Sequence, residues 1–298
     1  MKNKTIIIIV GPTAVGKTRI AIELARHLTT KIISADSRQC FRELDIGVAK
    51  PSRTELESIH HYFINSHSIE DEVNAAIFEK LALKWAGEIF QEHENAIMVW
   101  GTGLYIRGFC EGLDEIPAVD PYIRREIQLQ YEQNGIAGLQ EEMLLTDPDF
   151  YKNGELQNPQ RLMRALEVMR STGRSISSYR SKQKKQRPFQ MIKIGLLLDK
   201  ETLHSNIDKR VDIMMEAGLL EEAKSLLPLR HLNGLQTVGY TELFSYLDGI
   251  ISLEQAIDLI KKNTKQYAKR QMTWFRKYSE IRWLKPGDWQ PAKMITQS

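Results

Sequence analysis

A parallel α/β sheet flanked by helices and interrupted by an all-helical insertion is the fold class that three observations predict for this 298-residue chain. Short apolar runs alternate with helical segments from residue 5 to about residue 115, the pattern of strands joined by crossover helices. The first run ends on the octapeptide Gly11-Pro12-Thr13-Ala14-Val15-Gly16-Lys17-Thr18, and a helical stretch, residues 19–28, follows it. That is a P-loop in its strand-to-helix setting. The pattern from residue 121 to about 179 is then helical throughout before a strand returns at 191–198. The expected architecture is a P-loop NTPase-like core in two parts, 1–118 and 191–298, with a helical insertion at 119–190.

The strands expected are 5–10, 31–34, 96–100, 191–198 and 281–284, each a short apolar run bounded by turn residues. Residues 114–121 (DEIPAVDP) read as a linker and helix start, and helices are expected at 121–133 and 158–171, the latter stopped by Gly173. Beyond the insertion, 200–227 and 253–278 read as long helices. The two cysteines, Cys40 and Cys110, provide neither metal spacing nor a disulfide framework. The adjacent His60 and His61 point to different faces and are expected to be structural. The run before the P-loop is too short for a signal-peptide core and no run reaches membrane-spanning length, so a cytoplasmic location without membrane contact is expected.

Charge is concentrated in two places. Residues 158–187 carry nine Lys or Arg against the single Glu167, and residues 261–278 carry seven with no acid, leaving the rest of the chain net acidic. Two such blocks point to a large polyanion, with solvated helix faces as the plainer alternative. In the second block Tyr267, Trp274, Phe275 and Tyr278 alternate with the cations, the combination that stacks on bases and contacts phosphates.

The P-loop turns backbone N–H groups around a phosphate, adds a helix N-terminus and Lys17, and offers the Thr18 hydroxyl to Mg²⁺. It is a nucleotide-binding type of loop, commonly for ATP. Asp36 follows the second strand at the edge where open parallel sheets bind ligands. It suits either a general base or a turn-capping carboxylate. After the third strand, where an NTPase commonly carries a metal-binding Asp, the chain has Gly101-Thr102-Gly103 instead. Thr102 donates to a leaving oxygen but does not replace a carboxylate on a metal. A kinase holding ATP, with Asp36 activating an acceptor hydroxyl, and a non-catalytic RNA-binding protein are the alternatives. The missing acid and the basic blocks speak against the first, and the intact Lys17, Thr18, Asp36 and Thr102 against the second.

Six segments in order, GPTAVGKT (11–18), ISADSRQCFRELDIGVAKP (33–51), GTGLY (101–105), NPQRLMRALEV (158–168), VGYTEL (238–243) and QYAKRQMTWFR (266–276), resemble the motif series of the tRNA dimethylallyltransferases, or tRNA isopentenyltransferases. The resemblance implies transfer of a dimethylallyl group from dimethylallyl diphosphate to N6 of the adenosine 3′ of the anticodon, in tRNAs reading codons that begin with U. It makes Asp36 the general base and Thr102 the donor to the bridging oxygen. It assigns Gly11, Pro12, Thr13, Ala14, Val15, Gly16, Lys17, Thr18 and Arg210 to the diphosphate, with Thr18 on Mg²⁺; a monomer is the expected working unit. The anticodon stem-loop falls to Asp36, Ser37, Arg38, Gln39 and Thr102, to Arg124, Gln160, Arg161, Leu162, Met163 and Arg164 of the insertion, and to Val238, Gly239 and Tyr240. The chain departs from the family pattern at Trp100, Val48, Lys265 and Phe41, where glycine, threonine, arginine and tyrosine are usual.

Overall fold

The structure, a computed structural model, describes residues 4–181 and 183–291. Its centre is β1 (Thr5–Val10), apolar on both faces and buried along its length, as a strand covered by helices on both sides must be. With β2 (Ile32–Ala35), β3 (His61–Tyr62), β4 (Asn95–Trp100), β5 (Gln190–Leu196) and β6 (Arg282–Leu284) it forms one sheet in the order β3-β2-β4-β1-β5-β6. Every pairing is parallel, so the carboxyl ends of all strands share one edge. The expected parallel core is therefore observed. Only β3, at two residues too short to carry a period, has no counterpart in the sequence reading.

Helices α1 (Lys17–His27), α2 (Arg53–Ser58) and α3 (Ala75–Glu92) connect the first four strands, and α4 (Gly103–Glu111) follows β4. Helix α1 buries Ile20, Ala21, Leu24 and Ala25 in the cluster that contains Ile7, Ile9 and Ile97. Full burial of one such Ile or Leu is worth about 1.5–3 kcal/mol relative to exposure. The short α2 starts at a capping box, Ser52 with Glu55, a signature legible in the sequence.

The chain divides into two compact units, one of residues up to Glu111 and from Gln186, the other Gly112–Lys185. The second consists of α5 (Pro121–Thr146), α6 (Pro148–Asn153) and α7 (Pro159–Thr172) around Ile127, Leu139, Met143, Phe150, Leu162 and Leu166. Helix α5 kinks at Gly135 (φ 64°, ψ −163°), close to where the expected helix 121–133 stops. The sequence boundary at 190 falls on the first residue of β5, whose pairing with Thr5 belongs to the sheet. Upstream, Arg187 is already in the core unit, its side chain only 7 % exposed, paired with Glu79 at 2.8 Å and donating to the carbonyls of Gly108 and Phe109. Counted with the basic run in the sequence, it is an internal anchor.

Helices α8 (Lys200–Glu216), α9 (Leu219–Leu226), α10 (Tyr240–Leu247) and α11 (Leu253–Phe275) complete the core unit. The helix expected at 200–227 breaks at Gly218, whose φ of 101° suits glycine. Among the described residues no helix is long and apolar enough to cross a membrane.

Candidate active site

Three loops leave the carboxyl edge from adjacent strands. The P-loop follows β1, Asp36 follows β2, and Gly101-Thr102 follows β4, which is hydrogen-bonded to both. Ligands of open parallel sheets bind at this edge.

Gly11 (φ 145°) starts the P-loop where a Cβ would lie 2.7 Å from the Leu196 carbonyl oxygen, so only glycine fits. Gly16 (φ 94°) caps α1 without a side-chain acceptor. The first helical N–H groups are thereby left for an anion, reinforced by the helix dipole. Lys17 Nζ donates to the carbonyls of Gly11 (2.9 Å) and Pro12 (2.7 Å), folding its charge over the loop. From α8, Arg210 donates to the Thr13 hydroxyl (3.3 Å) and Asn206 to the Ala14 carbonyl (3.4 Å). The sequence-assigned diphosphate residues thus converge, and Asn206 joins them.

Burial of the ammonium, then the nearby Arg210 charge, push the Lys17 pKa down to about 7, with Asp36 pulling the other way. Below about 7 Lys17 is already charged; above it, binding an anion requires uptake of a proton. Pyrophosphate affinity should therefore fall as pH rises through 7, by at most about tenfold per pH unit. Calorimetric titration across that range measures it. Lys17→Arg, which does not titrate there, removes this component of the slope.

Asp36 Oδ1 accepts the N–H groups of Arg38 (2.9 Å) and Gln39 (3.4 Å), which fixes the carboxylate in its turn. Among the described residues Oδ2 has no hydrogen-bond partner, and it lies against Gly101, where a Cβ would approach it to 2.2 Å. Gly101→Ala must displace the carboxylate, and a displacement near 1 Å should lower turnover by about 10²-fold, measured by steady-state kinetics beside a melting curve. Thr102 is held through its N–H to Ala35 (3.1 Å), and its Oγ accepts the Ser37 N–H (3.1 Å) while donating to Ser37 Oγ (3.1 Å). The oxygen is pinned, yet the hydroxyl hydrogen remains free to turn to a better acceptor.

One side chain that the sequence reading did not single out joins these loops. Gln271 on α11, 7 % exposed, accepts the Thr13 N–H at 2.8 Å and donates to the Gly101 carbonyl at 3.1 Å. Tyr267, one turn earlier, donates its hydroxyl to the same carbonyl at 3.1 Å. The indole of Trp274 covers Gly103, where a Cβ would meet ring carbon Cε2 at 2.8 Å. The spacing 267, 271, 274 puts the three on one helix face, which was the available signal.

Other assigned residues serve differently. Both N–H groups of the Gln39 amide are engaged, with the carbonyls of Val48 (3.2 Å) and Ala49 (3.1 Å), so Gln39 braces that turn. Tyr240 is fully buried and donates to Glu222 at 2.5 Å, and Glu222 also accepts the N–H groups of Ile46 and Gly47. The Tyr240 side chain supports the turn at residues 46–47 through Glu222. Gly239 (φ 105°) donates to the buried Glu242, Val238 is half-buried, and Arg38 and Ser37 remain partly exposed beside Asp36.

In the helical unit, Gln160 and Arg161 are exposed at the start of α7, Met163 and Arg164 are half-buried, and Leu162 is fully buried in that unit's core. The Leu162 side chain packs inside that core. Arg161 pairs with Glu155, while Arg164 (3.0 Å) and Arg124 (3.4 Å) share Glu167. In the second basic block Lys261 and Lys265 pair with Asp212 and Asp208, whereas Lys269, Arg270, Thr273, Trp274 and Lys277 line an open hollow. Lys182 and the Trp100 side chain lie outside the described residues.

For the Mg²⁺ that the resemblance implies, the Thr18 hydroxyl in the first turn of α1 is a hard oxygen donor. Among the described residues no three His, Cys, Asp or Glu cluster to cage a metal. This donor set fits an ion held mainly by phosphate oxygens and water, the usual habit of Mg²⁺.

Residues 39–278 match the sequence model of the IPP transferase family. The tRNA dimethylallyltransferase of Christiangramia forsetii is 50% identical over 93% of this chain and 91% of its own length, and that of Cytophaga hutchinsonii 44% identical over 96% and 94%. Among solved structures, the tRNA isopentenylpyrophosphate transferase of Bacillus halodurans superposes with a TM-score of 0.68 at 35% identity, covering 95% of this chain and 90% of that one. A eukaryotic dimethylallyltransferase acting on tRNA gives 0.77 at 27% identity, covering 95% and 74%. The chain belongs to the IPP transferase family, the tRNA dimethylallyltransferases.

Proposed function

We propose that this enzyme transfers a dimethylallyl group from dimethylallyl diphosphate to the exocyclic N6 of the adenosine immediately 3′ of the anticodon, in tRNAs reading codons that begin with U, and releases pyrophosphate. The carrying observation is the Asp36 carboxylate, with Oδ2 unpartnered among the described residues, seated on Gly101 beside the Thr102 hydroxyl and one strand from the P-loop. Base, leaving-oxygen donor and anion grip are then neighbours.

In the reaction the N6 nitrogen forms a bond to C1 of the dimethylallyl group as the C1–O bond breaks, the electron pair leaving with pyrophosphate. Asp36 Oδ2 takes the N6 proton. Thr102 turns its hydroxyl hydrogen from Ser37 to the bridging oxygen, where charge develops. Lys17, Arg210 and the N–H groups at the start of α1 hold the diphosphate. Mg²⁺, when bound through Thr18, neutralises phosphate charge. The target base has to leave its stack to reach this edge, which favours an anticodon-loop nucleotide over a paired one. Phosphate contacts fall to exposed cations such as Arg161 and Lys269. A tRNA substrate supports a cytoplasmic location.

The test incubates the protein with Mg²⁺, labelled dimethylallyl diphosphate and unmodified tRNA, then digests the RNA and locates the label. Label on the adenosine 3′ of the anticodon is expected. ATP turnover with no label on RNA would instead make the chain a kinase.

A further inference from the structure

The pyrophosphate grip and the donor to the leaving oxygen sit on different strands, so transfer depends on their relative placement being held. Displacement needs the bridging oxygen under Thr102 while the phosphates stay in the P-loop, and errors of about 1 Å at such sites cost about 10²-fold. Strand pairing fixes β1 against β4 only as far as Ile9 with Val99. The loops beyond it need another tie.

The part most in need of restraint is Gly101. It has no side chain to pack, the Asp36 carboxylate occupies the space beside its Cα, and Thr102 follows it directly. Its carbonyl is nevertheless gripped twice from α11, by Gln271 and by Tyr267, both at 3.1 Å. The other end of the same Gln271 amide accepts the Thr13 N–H of the P-loop at 2.8 Å. A neutral carboxamide carries an acceptor and a donor at fixed separation on one short arm. Glutamate lacks the donor, lysine and arginine lack the acceptor, and methionine lacks both. Helix α11 makes a firm post, its residues Ala268 and Phe275 being buried in the core unit on either side of Gln271.

We infer that Gln271 is a positioning residue for the transfer: its amide ties the P-loop to the Gly101-Thr102 loop and so aligns the pyrophosphate grip, the Thr102 hydroxyl and the Asp36 carboxylate packed on Gly101. The inference rests on the prenyl-transfer reading above. Tyr267 is the second hand on Gly101 and acts in the same direction.

Full-length Gln271→Met, Gln271→Glu and Tyr267→Phe are compared with the unaltered chain in steady-state transfer of dimethylallyl to tRNA, with melting curves and tRNA affinity measured alongside. Gln271→Met loses both bonds. Gln271→Glu keeps an acceptor for Thr13 and loses the donor to Gly101, so a bridge and a simple cap on Thr13 give different results. Both Gln271 variants should lose about 10- to 100-fold in kcat, as supporting residues around reacting groups do, with KM for either substrate little changed. Tyr267→Phe, which removes one of two donors to the carbonyl, should lose about fivefold. Wild-type kcat in Gln271→Glu would reduce Gln271 to a cap on the P-loop. Weakened tRNA affinity with kcat intact would make it an RNA contact. Either result overturns the inference. If Gln271→Met fails to fold, the other two variants decide between the same outcomes. Absence of transfer by the unaltered chain would overturn the prenyl-transfer reading itself, a result distinguishable from unchanged kcat in the variants.

Discussion

Asp36→Ala should lower the rate of dimethylallyl transfer by about 10²- to 10⁴-fold, the usual contribution of a positioned general base. The adenine amine is a weak nucleophile whose acidity rises as the new C–N bond forms, so the proton acceptor matters most at the transition state. Loss should appear in kcat with tRNA affinity nearly unchanged. Asp36→Asn separates charge from shape: its amide oxygen keeps an acceptor for the N–H groups of Arg38 and Gln39, but the side chain takes no proton. It should be as slow as alanine. The Asp36 charge also raises the Lys17 pKa, so removing it leaves Lys17 less protonated. Comparison across pH values on the acid side of 7, where Lys17 gains its proton in both proteins, separates the base from the grip. An Asp36→Asn variant with near wild-type kcat would remove Asp36 from proton transfer.

Thr102→Ala should cost about 10²- to 10³-fold, the range for losing one preorganised donor to a developing oxyanion. Thr102 is suited to this because its oxygen is already pinned by the Ser37 N–H and its backbone by Ala35, so little reorganisation accompanies reaction. Thr102→Ser keeps the hydroxyl and should restore most of the rate; the serine–alanine difference in single-turnover transfer is the measurement. Thr102→Ser also keeps the acceptor for the Ser37 N–H, which Thr102→Ala removes, so loss in both variants alike would trace the defect to the missing methyl group and not to the hydroxyl.

The sequence carried the chemistry further than the geometry. The P-loop, Asp36 and Thr102 were legible because each follows an apolar run, and parallel strands bring their ends to one edge. Helix boundaries were legible at Gly173 and near the Gly135 kink, where the expected helices stop, and missed at Gly218, which lies inside a continuous helical pattern. Nothing in a linear motif separates Gln160 and Arg161, which face outward, from Leu162 between them, which fills the core of its unit. Counting charges likewise failed to distinguish Arg187, sealed against Glu79, from the exposed Lys269. Gln271 was missed for a different reason. Its partners are two backbone groups far away in the chain, the N–H of Thr13 and the carbonyl of Gly101, and backbone groups leave no trace in residue type. Gln39 and Tyr240 show the converse: residues inside recognised motifs whose polar groups are committed to holding the turn at residues 46–49.

If the P-loop of this chain grips a leaving group, carbon moves and phosphate does not. Dimethylallyl diphosphate labelled with tritium in the dimethylallyl group and with phosphorus-32 in the diphosphate, followed through a single turnover with unmodified tRNA, tests it directly. Tritium in the RNA, all phosphorus label in inorganic pyrophosphate, and equal amounts of the two are expected. Phosphorus label in the RNA, or pyrophosphate release without tritium transfer, would contradict it.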